Sequence, residues 1–266
     1  MHVFLALAFS VAFVVYTLRK KSLSTSGAAA AFCLAMLTFS THLWAFTFKA
    51  DRKRQLEDGY VESGQRDMWQ VLSNSLTAAI ALIIYRAWFG NGELACFEDE
   101  RAARALVWAY VGHYAACNGD TWSSELGILN SGNPYLITTL RRVPPGTNGG
   151  VSPLGLAASL AGGLVIGLSG AAVLAIETAC SGFSWGIVAV GVTSGVGGSL
   201  LDSLLGATVE QSLYSPNSGK IISSHSTPQG KVEVVSGMNL LSGNQINLVS
   251  SFVTAIVAGA VAWWTF

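Results

Sequence analysis

The sequence predicts an all-α fold, a polytopic transmembrane bundle of about seven helices with a polar site at one membrane face. Three observations carry this. Hydrophobic residues make up 51% of the 266 and charged ones only 11%, against roughly 25% charged in a soluble domain; the mean hydropathy is +0.48. Seven windows reach or approach the ~20 mostly apolar residues that cross a hydrocarbon core: 2–18, 27–48, 68–90, 102–119, 151–176, 183–206 and 246–266. Finally, two apolar segments run into similar acidic motifs, Asn118-Gly119-Asp120-Thr121-Trp122-Ser123-Ser124-Glu125-Leu126-Gly127 and Gly198-Ser199-Leu200-Leu201-Asp202-Ser203-Leu204-Leu205-Gly206-Ala207-Thr208-Val209-Glu210. A carboxylate at such depth costs about 2.5–3.5 kcal/mol on insertion scales and marks a functional site by default. Residues 1–266 read as a single integral membrane domain.

Each segment has its own justification. Window 2–18 lacks a basic leader and a small-residue cleavage site, and Arg19, Lys20 and Lys21 flank it, so it reads as a retained anchor helix more than a signal peptide. Window 68–90 carries a polar stripe, with Arg66, Gln70 and Asn74 spaced at i, i+4 and i+8. Window 102–119 ends in the first acidic motif and 183–206 in the second. Window 151–176 is rich in Gly and Ala, which lets helix backbones approach closely. The last window is entered through Asn244, Asn247 and Ser251, which share one face, and closes on Trp263 and Trp264 at the aromatic belt.

With seven crossings the loops alternate between two faces. Loops 49–67, 120–150 and 207–245 share one face, and every polar motif falls there. That face holds nine Lys or Arg, including Lys49, Arg52, Lys53 and Arg54, against six on the other. The positive-inside rule then makes it cytoplasmic, although Arg19-Lys20-Lys21 argues the other way. The chain is read as a multi-pass protein of an endomembrane. Net charge is zero and no basic patch is interleaved with aromatics, so nucleic acid is not an expected partner. Cys33, Cys96, Cys117 and Cys180 show neither a paired spacing nor a cluster with His; three of them sit in apolar stretches, where a thiol reads as a small hydrophobe, and no zinc site is legible.

The residue types point to phosphate and divalent-cation chemistry. Asp120 and Asp202 suit Mg²⁺, which takes one or two carboxylates plus substrate phosphates. Glu125 lies about 140° round a helix from Asp120 and joins the same ion only if the helix breaks, for which Asn118-Gly119 is the expected place. Ser123, Ser124 and Ser203, with neighbouring glycines, leave room for phosphate oxygens. The loop Gly146-Thr147-Asn148-Gly149-Gly150 precedes a helix and offers backbone amides to a phosphate, without the Lys-Ser/Thr ending of a Walker motif. Arg66 suits bidentate phosphate recognition, and Asn74 lines the same cavity. The bland alternatives are carboxylates that end helices in the headgroup layer and an arginine that snorkels.

Together these motifs resemble the transmembrane protein 19 family, known as domain of unknown function 92. The resemblance rests on Ser26-Gly27-Ala28, Gly64-Gln65-Arg66, Gln70-Val71 with Asn74, both acidic motifs, Leu136-Ile137-Thr138-Thr139, Val143-Pro144-Pro145-Gly146-Thr147-Asn148-Gly149-Gly150-Val151-Ser152 and Asn247-Leu248-Val249-Ser250-Ser251. It spans roughly residues 20 to 262. Plant and cyanobacterial members are phytyl-phosphate kinases, similar to CTP-using dolichol and phytol kinases, whereas animal-type members are membrane proteins of unassigned function. The resemblance implies Mg²⁺-dependent transfer from CTP or ATP to an isoprenoid monophosphate in the membrane, with Asp120 and Asp202 holding the metal and Arg66 and the Gly149–Gly150 amides holding phosphates. A lipid tail is expected between the Gly/Ala-rich helices. The competing class is a transporter, since buried acids and a repeated motif also occur in carriers.

Overall fold

A computed structural model describes residues 3–20, 22–39, 57–58, 67–89, 97, 99–177, 182–222 and 231–265. Eight helices run through them: α1 (Val3–Arg19), α2 (Thr25–Phe39), α3 (Met68–Ser73), α4 (Leu76–Phe89), α5 (Arg101–Gly127), α6 (Pro153–Glu177), α7 (Trp185–Val209) and α8 (Gly243–Trp264). They follow the seven windows, with one window split in two. Residues 40–48 of window 27–48, the Lys49 to Arg54 run and Arg66 lie outside the described residues.

The split comes at Asn74-Ser75. Asp67 caps α3 by accepting from the Gln70 amide at 2.8 Å. Within that short helix the Ser73 hydroxyl donates back to Trp69 O at 2.7 Å, and the Asn74 side chain donates back to Gln70 O at 2.8 Å. Such back-bonding bends helices. Asn74 then takes φ −98° and ψ 8°, and α4 starts afresh.

Helix α5 is the hub, packed against α4, α6, α7 and α8. It runs unbroken through Asn118-Gly119, so the expected break there does not occur. At 27 residues it is ~40 Å long, enough to cross a bilayer despite its polar side chains. Helices α6, α7 and α8 are long and apolar enough to cross by composition as well.

In lipid, apolar side chains gain little by leaving their surroundings, so bundles are held by close backbone approach and interhelical hydrogen bonds. Glycines supply that approach here. A Cβ on Gly119 would sit 2.6 Å from the carbonyl oxygen of Gly195, and one on Gly195 would sit 2.7 Å from the Cα of Gly163. Helices α5, α6 and α7 thus touch backbone to backbone, and the Asn118 amide donates to Gly162 O at 2.9 Å across the same seam. The Gly faces fill one another and leave no room for a lipid tail between them, contrary to the expectation above. Large apolar side chains point outward instead: Leu160, Ile176, Phe252, Ile256 and Val257 are all exposed, as a lipid-facing surface requires.

Two small sheets, which the window analysis did not foresee, sit at the loops of the motif-bearing face. β2 (Tyr135–Leu136) pairs antiparallel with β3 (Gly150–Val151), closing the loop between α5 and α6 into a hairpin-like fold. The other sheet has strand order β1-β5-β4-β6 and is built from β1 (Glu57–Asp58), β4 (Ser212–Ser215), β5 (Lys220–Ile222) and β6 (Glu233–Ser236). A satellite core of Leu136, Val143 and Ala207, with Ile137 and Val235, joins the hairpin, the last turn of α7 and the second sheet.

Candidate functional site

Asp120 and Asp202 occupy matching positions, each seven residues before the C-terminal end of its helix. At 1.5 Å per residue that is about 10 Å inside the helix end, deeper than helix-ending carboxylates would lie. Both are half-buried. The seam that joins α5 to α7 at Gly119 and Gly195 also brings Asp120 against Ser199, whose hydroxyl donates to Asp120 Oδ1 at 3.2 Å. Ser199 lies one turn before Asp202 on α7, so Asp120 sits beside the helix surface that carries Asp202. The Ser250 hydroxyl of α8 donates to Asp202 Oδ2 at 2.9 Å. Asn247, with its amide turned so that both polar ends are satisfied, donates to the same oxygen at 3.1 Å. Each carboxylate is therefore oriented by hydroxyl or amide donors from the next helix in the chain of contacts α5–α7–α8, and both lie within electrostatic reach of Cys117.

The Gly-rich loop is laid across the end of α7. Gly149 has φ +78°, and a Cβ there would meet Ser203 O at 2.5 Å and Ala207 N at 2.7 Å, while Gly206 faces Asn148 and Gly149 in turn. Only glycine fits. The loop is pinned by its own polar groups: the amide of Thr147 donates to Pro144 O at 3.2 Å and that of Gly150 to Thr147 O at 3.0 Å. The amide of Asn148 donates to Ser212 Oγ at 3.0 Å, and the Thr147 hydroxyl to Pro144 O at 2.7 Å. Those three amides thus hold the loop. Ser152 caps α6, accepting from the Gly155 amide at 3.1 Å.

The other predicted residues are distributed as follows. With α5 unbroken, Glu125 keeps its position about 140° round from Asp120, and among the described residues no three His, Cys, Asp or Glu side chains close round a point. Ser123 faces the first turn of α6, where a Cβ on Gly155 would meet its hydroxyl at 3.0 Å. Ser124 donates back to Thr121 O at 3.0 Å. Ser203 is half-buried where the Gly149 loop crosses α7.

Sequence reasoning missed a second polar layer. The break at Asn74 frees that residue's carbonyl, and His113 Nε2 lies 3.0 Å from it, so Nε2 carries the proton and donates. His113 is fully buried, near the middle of α5. The Cys117 thiol lies 3.8 Å from His113 Nε2 and 4.0 Å from the Asn74 oxygen, so it belongs to a polar seam, not to an apolar filling. His113, Cys117 and Asp120 stand at i, i+4 and i+7, one face of a helix. That spacing is the signal the sequence offers, and reading the cysteines as small hydrophobes overlooks it. Ser250 is likewise available, since it follows Asn247 at i+3 and shares its face, but the i, i+3, i+7 pattern takes Ser251 instead.

Residues 8–255 match the family described as Integral membrane protein DUF92. The chain is similar to Protein PGR of Arabidopsis thaliana, at 33% identity over 93% of this chain and 92% of the relative. It is similar also to an uncharacterised membrane protein of Methanocaldococcus jannaschii, at 39% identity over 39% of this chain and 42% of the relative. A third relative is an uncharacterised membrane protein of Synechocystis, at 32% identity over 56% of this chain and 51% of the relative. No solved structure matches it. With helices suited to crossing a bilayer and a family match over nearly its whole length, the chain is an integral membrane protein of the DUF92 family.

Proposed function

We propose that this protein is a membrane kinase of isoprenoid, phytyl-type monophosphates, using CTP or ATP and Mg²⁺ at the cytoplasmic face of an endomembrane. The observation that carries the reading is that Asp120 and Asp202 stand at matching positions on two packed helices, Ser199 of α7 donating to Asp120 and Ser250 and Asn247 of α8 to Asp202. The donor set fits Mg²⁺, which binds through one or two carboxylates and keeps water and phosphate oxygens as its remaining ligands. A third protein carboxylate is not needed, so Glu125 drops out of the ligand set. Bound between Asp120 and Asp202, the ion would neutralise phosphate charge.

The protein's own residues then have defined tasks, because phosphoryl transfer is chiefly positioning and charge stabilisation. Asp120 and Asp202 fix where the phosphates gather, about two turns inside the helix ends. The Gly146 and Gly149 amides and Arg66 are assigned to an acceptor or donor phosphate. An oxygen of the acceptor monophosphate bonds to the terminal phosphorus of the nucleotide as the bond to the leaving nucleoside diphosphate breaks. Since that oxygen is already anionic, no general base is required. The isoprenoid tail runs along the lipid-facing side of the bundle, the Gly seams being closed.

The test is purified protein in lipid with Mg²⁺, labelled CTP or ATP, and phytyl, geranylgeranyl or farnesyl monophosphate. Labelled diphosphate product, absent with Asp120→Asn, supports the kinase. No transfer to any acceptor by folded wild-type protein refutes it. One observation favours a second reading, transport: the helix is broken at Asn74, beside the buried His113 in mid-α5, and broken helices are a feature of carriers. Flux across sealed vesicles, lost in His113→Leu, would support that reading.

A further inference from the structure

The loop between α5 and α6 contains a feature that the proposed chemistry does not use. Residues Thr138 to Arg142 are all exposed, and Leu140 is 74% exposed at their centre. Among the described residues Leu140 is the one non-glycine with positive φ, at 54°. A left-handed conformation costs an L-residue appreciable free energy and persists only where the surroundings enforce it. They do so here: the Leu140 amide donates to Leu136 O at 2.8 Å, the Leu136 amide to Arg141 O at 2.9 Å, and the Arg141 amide to the Thr139 hydroxyl at 3.4 Å. An exposed leucine in a strained backbone adds nothing to the core. The loop is built to present it.

What flanks the tip identifies its partner. Arg141 and Arg142 are exposed beside it. The Arg142 guanidinium stands 5.6 Å from the Tyr135 ring centroid and donates to its hydroxyl at 3.4 Å. An apolar side chain next to two guanidiniums and an aromatic ring is the chemistry of the membrane interface, where apolar groups enter the acyl boundary and cations meet lipid phosphates. Depth agrees. The hairpin base, Leu136 and Val143, packs on Ala207 in the last turn of α7, and four residues of chain reach at most ~14 Å from Leu136. Leu129, Met238 and Leu240 are exposed at the same level, the last two with amides bonded to Thr208 O and Val209 O at the end of α7.

We infer that Leu140 and its two arginines form an interfacial anchor that inserts into the lipid leaflet surrounding the site face and prefers anionic headgroups. This goes beyond the kinase reading and stands or falls separately from it. The experiment places a genetically encoded, environment-sensitive fluorescent amino acid at position 140 of the full chain, in bilayers of phosphatidylcholine with and without phosphatidylglycerol. The exposed turn residue Asn217 serves as the comparison site. The expected result is blue-shifted emission at 140, quenched by lipid brominated near the acyl carbonyl, with Asn217 unquenched. In unlabelled protein, changing both Arg141 and Arg142 to Gln lowers retention of phosphatidylglycerol through a phosphatidylcholine wash, by roughly fivefold per arginine. Water-like, unquenched emission at 140 in both lipids overturns the anchor. So does quenching with phosphatidylglycerol retention unchanged in the double variant, since the arginines would then read nothing.

Discussion

Substituting Gly119 by alanine tests whether the carboxylate pair depends on backbone contact between α5 and α7. The added Cβ would stand 2.6 Å from Gly195 O and 2.8 Å from Gly195 Cα, both backbone atoms, where ordinary contact begins near 3.4 Å. No rotamer change relieves this, so the helices must part by about 0.8 Å. The adjacent Ser199–Asp120 bond, already 3.2 Å long, would then exceed hydrogen-bond reach. Overpacking costs about 1–3 kcal/mol, and loss of a hydrogen bond to a charged group about 1.5–3 kcal/mol. Gly197→Ala is the matched control on α7, because nothing lies within 4 Å of its added Cβ. Helix propensity alone favours that change by up to ~1 kcal/mol. Thermal unfolding in detergent should therefore show Gly119→Ala melting well below wild type and Gly197→Ala at or above it. Equal melting of the two variants would refute the backbone seam as the element that joins the carboxylates.

Three further outcomes follow from the same geometry. His113→Leu should lower stability by about 1–3 kcal/mol, because the Asn74 carbonyl loses its donor inside the bundle, whereas His113→Gln, which keeps an N–H donor, should lose less; chemical denaturation in mixed micelles reads the difference. Gly149→Ala should destabilise the loop by at least ~1–2 kcal/mol from its positive φ alone, seen as earlier proteolysis between α5 and α6. Ser250→Ala removes one donor to Asp202 and should weaken Mg²⁺-dependent turnover, while Asn247→Ala together with it weakens turnover further, as measured by initial rates against Mg²⁺ concentration.

Much of this architecture is legible in the sequence, because membrane spans announce themselves by length and apolarity. The two acidic motifs, the Gly-rich loop and their shared face are also legible, since polar groups stand out in apolar segments. What was not legible depends on neighbours far away in the chain. The break at Asn74 arises from side chains of Ser73 and Asn74 bonding back onto α3, and the run 68–90 is apolar enough to hide it. The continuity of α5 through Asn118-Gly119 reflects packing of Gly119 on Gly195 and the bond from Asn118 to α6, which outweigh local flexibility. Glu125 stands close to Asp120 in sequence, yet the unbroken α5 keeps it about 140° round the helix. The strands between α7 and α8 are short segments such as Glu233–Ser236, too brief for periodicity to distinguish from loop.

The central claim is that Asp120 and Asp202 act as one unit on one set of phosphates. Turnover of Asp120→Asn, Asp202→Asn and the double variant, measured under identical Mg²⁺ and nucleotide with each protein shown to be folded, tests it most directly. Residues that act together are strongly non-additive, so each single change should abolish most activity and the double variant should be scarcely worse than either. Independent, multiplying losses, or full activity in either single variant, would contradict a shared site.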